Sequence, residues 1–171
     1  MSNGTATDAL IVHTRQALVC AAVLLAWEGA VLGTFSVSPL ICPFWFLVSL
    51  IQSIIRRPGW AVGFVRSMIP VLTLALVLGN TALQSRIAHA HAERVIQAAE
   101  EYRRTVGTYP AKLDELVPRH LSSVPRAKYS LLGVFLYIAS TDRHSLAWSE
   151  QFPPFGWSFY VFEEARWGYF D

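Results

Sequence analysis

The sequence predicts a membrane-anchored α+β protein: three apolar helices, then a long amphipathic helix packed on a small antiparallel sheet. Three observations predict it. Apolar runs of near-equal length fill residues 17–35, 37–55 and 60–78. A three- and four-residue apolar rhythm continues past Leu78 to about Tyr102. The last forty residues are rich in aromatic and β-branched types broken by turn residues.

Charge divides the chain in the same way. Residues 1–80 hold four basic side chains (Arg15, Arg56, Arg57, Arg66) and two acidic ones (Asp8, Glu28), whereas residues 81–171 hold ten of each. The whole chain is 53% hydrophobic and 15% charged, with a mean hydropathy of +0.37. A typical soluble domain is about 25% charged. The boundary is set at residue 79/80, giving a three-span region 1–79 and a water-facing domain 80–171. The balanced second half has no field that would collect phosphates, so nucleic acid is excluded as a main partner.

Each apolar run approaches the ~20 residues a helix needs to cross the hydrocarbon core. The first (ALVCAAVLLAWEGAVLGTF) is interrupted only by Glu28. It lacks a strong basic leading region and is longer than a signal-peptide core, so it is expected to be retained. The second (VSPLICPFWFLVSLIQSII) carries Pro39 and Pro43 near its start and is expected to form a tight hairpin with the first. The third carries Arg66. Arg56-Arg57 between the second and third runs, against an uncharged connection between the first two, places the N-terminus in the cytoplasm. Three crossings then leave the domain outside, which reads as a bacterial inner-membrane protein with a periplasmic C-terminal domain. Cys20 and Cys42 fall toward opposite faces of the bilayer, too far apart for a disulfide.

Beyond the third run, Leu83, Ile87, Val95, Ala98, Ala99 and Tyr102, with Ala90 and His91, form an apolar stripe on a helix that Gly107 closes. Tyr109-Pro110 turns the chain. Leu113, Leu116 and Val117 make a short helix ended by Pro118, and Pro125 closes the next loop. Tyr129–Ser140 reads as one strand, Ser145–Ser149 as a second and Trp157–Phe162 with Arg166–Phe170 as a hairpin around Glu163–Ala165. Pro153-Pro154-Phe155-Gly156 is a further break.

The stretch AAEEYRRTVGTYPAKLDELVPRHLSSVP then resembles type IV pilins and type II secretion pseudopilins. The similar positions are Tyr102, Gly107, Tyr109, Pro110, Leu113, Leu116, Pro118 and Pro125. The aromatic hairpin ending at Trp167 is also similar, and the likeness covers about residues 65–171. It implies a pilin-like domain and partners among pilin-type or secretion subunits. Two features depart from that family. Gly63-Phe64 imitates a prepilin peptidase site, but Met68 stands where the family has Glu, and two extra spans precede it.

Candidate chemistry is sparse. A carboxylate inside a span, Glu28, is a functional-site hypothesis by default and could meet Arg66, a partner or a proton path. His89 and Glu93 share a helix face, but His91 points away, so no metal site is expected. No nucleophile or phosphate-loop motif is present, and Glu163-Glu164 reads as a solvated turn. Trp148, Trp157, Trp167 and Tyr169 are candidates for a partner-binding face. The expected function is therefore non-enzymatic and without a cofactor. It is a protein-interaction module in envelope, pilus or secretion assembly, with the alternative of an immunity protein that binds a toxin at the outer face of the membrane. A transporter subunit using Glu28 is the third reading.

Overall fold

The computed structural model describes residues 3–56, 60–150 and 156–170, with side chains from 14–55, 62–150 and 156–170. The Arg57 position, the side chain of Arg56 and the Pro153-Pro154-Phe155 break lie outside the described residues. Helix α1 spans Asn3–Leu25 and widens into a π-helical turn over Ala26–Leu32. Helix α2 spans Ser38–Arg56 and α3 spans Trp60–Val106. All three are long and apolar enough to cross a membrane. At 1.5 Å per residue, the 47 residues of α3 extend about 70 Å, roughly twice a hydrocarbon core. The span and the amphipathic helix are thus one continuous rod.

Pro39 sits in the first turn of α2, where a missing N–H costs nothing. Pro43 and Pro70 lie inside α2 and α3 and each remove one helical hydrogen bond. The expected hairpin of the first two spans is corrected in one respect. The connection is short, but α1 and α2 each pack chiefly on α3 rather than on one another. Gly63 explains part of this: a Cβ there would meet Ser53 Oγ at 3.1 Å, so α2 and α3 approach closely.

Gly107 ends α3 with φ +91°, and its N–H bonds the Arg103 carbonyl at 2.8 Å. A 3₁₀ turn follows at Leu113–Leu116. Four strands then form an antiparallel meander in sequence order: β1 Leu136–Ala139, β2 His144–Ser149, β3 Trp157–Val161 and β4 Arg166–Phe170. Pairing of Leu146 with Tyr160 and of Tyr160 with Trp167 sets the face that meets α3.

The core lies between that face and α3. Ala88, Ala92, Val95, Ala98 and Ala99 are buried with Tyr109, Leu116, Leu146, Trp148, Tyr160 and Phe162. The expected stripe is corrected in its upper part. Leu83 and Ala90 are exposed, and the buried positions there are Ala88 and Ala92. Large side chains drew the sequence reading one residue out of phase, whereas small ones leave room for the Trp148 ring. The strand expected over Tyr129–Ser140 is corrected as well. Only Leu136–Ala139 is strand, and residues 127–134 form a loop of bends and one turn. Most of their amides are committed elsewhere: two to the end of α1, one to Gln84 and three within the loop.

Candidate functional site

Two polar centres occur where the helices meet the domain. The first is built on Glu28, in the π-helical turn and almost fully buried. Its Oε1 accepts from the amides of Ser36 (2.9 Å), Val37 (2.7 Å) and Ser38 (2.8 Å) and from Ser36 Oγ (3.0 Å). Those amides open α2, so Glu28 serves as a cap donated from the preceding helix. Its backbone carbonyl receives the Thr34 amide at 3.2 Å and the Gly33 amide. Arg66 lies elsewhere: its guanidinium donates to Gln52 Oε1. The sequence-level alternative of a Glu28–Arg66 pair is therefore not what either group does.

The same end of α1 is tied to the domain. The amides of Leu131 and Leu132 donate to the carbonyls of Ala30 (2.9 Å) and Val31 (3.1 Å), and Ser130 Oγ donates to that of Leu32 (3.3 Å). Carbonyls left over at a helix end are thus satisfied by a segment a hundred residues downstream. Gly33 is required at this junction. Its φ is +66°, and a Cβ there would come within 2.5 Å of Ser130 Oγ.

The second centre is Glu150. Its Oε1 accepts from Trp148 Nε1 (2.8 Å) and Ser158 Oγ (3.0 Å), with His89 Nε2 at 3.4 Å. Its Oε2 accepts from Ser85 Oγ at 2.7 Å. Its carbonyl accepts from Thr34 Oγ1 (3.0 Å) and Lys128 Nζ (3.2 Å). One residue therefore joins the α1–α2 connection, α3, the sheet and the 127–134 loop. Burial pushes the Lys128 ammonium below the ordinary lysine value, against the charge of Glu150, which pulls it up. Beside Glu150 is an open cleft of about 480 Å³. Phe35, Leu78 and Ala82 line it with Ser85, His89 and Tyr169.

Ser85, Glu150 and His89 do not form a nucleophile relay. Activation requires the imidazole to take the serine proton, with the carboxylate behind the imidazole. Here the carboxylate stands between them and itself accepts the serine hydroxyl's hydrogen bond. This centre is a structural knot with a wet edge. Nothing in the sequence singled out Glu150, because its partners are scattered from Thr34 to Ser158. The Ser85/His89 spacing was legible, but the sequence paired His89 with Glu93.

The aromatic candidates do not share one face. Trp148 is buried, with its ring edge-on to His89 (5.1 Å) and Trp167 (5.7 Å). Trp167 also stacks obliquely on Tyr160 at 4.9 Å. Trp148, Trp167 and Tyr169 lie on the helix side of the sheet, while Trp157 lies on the other, parallel to Phe170 at 6.4 Å. That other side holds a shallow apolar depression of about 360 Å³. Leu136, Ile138, Trp157, Phe159 and Phe170 line it, with Arg143 at its rim. Phe159 covers Gly168, the residue opposite it on β4.

The remaining sequence features are structural. Tyr109 is buried, its hydroxyl 2.8 Å from Glu100 Oε1 and 3.2 Å from the Phe162 carbonyl, with Arg103 donating to it at 2.8 Å. Burial and the Glu100 bond push this phenol up to about 12. The Pro110 carbonyl accepts from Tyr137 Oη at 2.7 Å, Leu116 is fully buried, Leu113 packs on the same core and Pro118 is exposed. Pro125, half-buried, precedes the loop that reaches α1. Cys20 and Cys42 are both free. His91 Nδ1 contacts the Arg126 carbonyl at 2.6 Å, and among the described residues no three His, Cys, Asp or Glu side chains gather as metal ligands. Glu163 clasps the His144 amide and ring, while Glu164 pairs with Arg166.

No family of known proteins, no curated protein and no solved structure matches the chain.

Proposed function

We propose that this protein is a non-enzymatic membrane protein whose α+β domain is a protein-binding module held against the bilayer. The observation that carries the reading is the apolar outer face of the sheet. Leu136, Ile138 and Phe170 are about half exposed there, beside Trp157 and Phe159. A contiguous apolar patch of this kind marks an interaction surface. The outer edges of β1 and β4 have no strand neighbour among the described residues, so an added strand can extend the sheet at either side. The inner-membrane orientation proposed from Arg56-Arg57 puts this face on the extracytoplasmic side. A long helix laid on an antiparallel meander supports a pilin-like role, with pilin-type or secretion subunits as partners.

The test is site-specific photocrosslinking in cells of the native source. A benzophenone side chain is placed at Ile138, at Phe170 and, as a control, at Arg104 on α3. Adducts at Ile138 and Phe170 with one pilin-type or secretion subunit support the proposal. An adduct with a toxin at the same positions moves the module to the immunity reading. The same adduct pattern at all three positions, or none at the sheet, refutes a binding role for this face.

A further inference from the structure

The 129–134 loop carries four large side chains turned outward. Tyr129 is 71% exposed, Leu131 66%, Leu132 52% and Val134 59%. We infer that this loop dips into the bilayer, so that the domain lies on the membrane through a lipid-embedded edge rather than standing clear of it on α3. The inference rests on the proposed insertion of the three helices.

Depth comes first. The Leu131 and Leu132 amides bond the carbonyls of Ala30 and Val31 directly. Both acceptors belong to the apolar segment Thr14–Leu32. A bond of about 3 Å fixes the loop backbone at the level of the last turn of that span. Whatever surrounds the end of α1 also surrounds Leu131 and Leu132. Trp27, one turn earlier on α1 and half exposed, is of the type enriched at the membrane–water boundary, as is Tyr129.

The backbone supplies the second, independent argument. Non-helical chain can enter an apolar phase only if its polar groups are already paired. Over residues 129–134 this loop comes close to that condition, with five of six amides and four of six carbonyls paired. The Tyr129 amide donates to Gln84 Oε1 (2.9 Å), that of Gly133 to the Ser130 carbonyl (3.2 Å) and that of Val134 to the Leu132 carbonyl (3.0 Å). The Gly133 carbonyl accepts from the Lys128 amide (3.2 Å), and that of Leu131 accepts from the Arg126 guanidinium (2.8 Å). An ordinary surface loop leaves such groups to water. Arg126, exposed at the base of the loop, is placed to meet lipid phosphates while its stem covers apolar surface. The occupant is therefore the acyl and glycerol region of the domain-side leaflet.

The experiment is spin-label accessibility on the full chain reconstituted in phosphatidylglycerol/phosphatidylethanolamine vesicles. Cys20 and Cys42 are first replaced by Ser and Ala. Single labels then go at Leu131, Leu132, Leu72 and Asp142, with Val134 as a substitute if a Leu131 variant fails to fold. The label at Leu72, exposed in the apolar first half of α3, reports insertion itself. The expected result is that labels at Leu131 and Leu132 collide with oxygen and lose collisions with an aqueous nickel chelate, as at Leu72. Asp142 shows the reverse. If Leu72 is lipid-exposed but Leu131 and Leu132 match Asp142, the loop lies in water and the inference is overturned. Protection from both reagents means that protein, a partner or a second copy, covers the loop, and overturns it equally. A wet Leu72 refutes the insertion reading instead.

Discussion

Replacing Glu28 by Ala removes one oxygen that accepts four hydrogen bonds. The cost can be worked from the surroundings. Ser38 is fully buried, so its orphaned amide carries the whole desolvation cost, about 1–3 kcal/mol. Ser36 and Val37 are more open and can be rehydrated, which lowers their loss to about 0.5–1.5 kcal/mol each. The one buried methylene lost, Cγ, adds about 0.8 kcal/mol. The sum is about 3–7 kcal/mol, concentrated at the start of α2. Glu28→Gln keeps an acceptor oxygen in the Oε1 position and loses the charge-assisted part, about 1–2 kcal/mol, with its amide nitrogen taking the place of Oε2, which has no hydrogen-bond partner among the described residues. Hydrogen exchange on the full chain in detergent reads this directly at Ser36–Ser38. Since each 1.4 kcal/mol is tenfold, protection there falls by at least about a hundredfold in Glu28→Ala and by about tenfold in Glu28→Gln. Equal losses in the two variants would refute the capping argument, because the charge rather than the acceptor would then matter. An unchanged Glu28→Ala would refute the buried bonds themselves.

Three further outcomes are expected. Gly33→Ala meets Ser130 and occupies a left-handed conformation, which together cost about 2–4 kcal/mol, while Gly79→Ala, with open space around it, is neutral or mildly stabilising; paired thermal melts compare them. Tyr109 holds its proton in the folded chain up to about pH 12, against about 10 when unfolded. Its contribution is therefore complete below pH 10 and lost as pH rises from 10 to 12, so the stability gap between wild type and Tyr109→Phe narrows across that window in alkaline unfolding followed by circular dichroism. Residues 80–171 expressed alone retain exchange protection at Tyr160 and Val161 but lose it at Leu131 and Leu132, whose acceptors are on α1; protection at both sites would show that the junction bonds are dispensable.

Much of the architecture was legible because local chemistry decides it. Apolar runs of span length, the Gly107 cap and the alternation in Trp157–Phe170 each specify their element without distant help. Tyr129–Phe135 was misread for a definite reason. Its composition suits a strand, and what removes it from the sheet is a set of carbonyls on α1 far earlier in the chain. The α3 stripe slipped at Leu83, because size suggested burial where shape complementarity to Trp148 selects alanine at Ala88 and Ala92. Glu28 was noticed as a carboxylate inside an apolar span, yet the Ser36-Val37-Ser38-Pro39 helix start that employs it was not joined to it. Glu150 gave no signal, since a residue that accepts from six separated positions has no pattern in one dimension.

The late tie on α1 also bears on biosynthesis. Leu32 and Ser130 are 98 residues apart, and Thr34 and Glu150 are 116 apart. At translation speeds of about 5–20 residues per second, α1 waits roughly 5–20 seconds for the groups that finish it. During that interval its end is held by Glu28, through the start of α2, and by packing on α3. The earliest of the three described helices is thus completed only by residues made about a hundred positions later, and a nascent chain stalled before residue 130 leaves the carbonyls at its end unpaired.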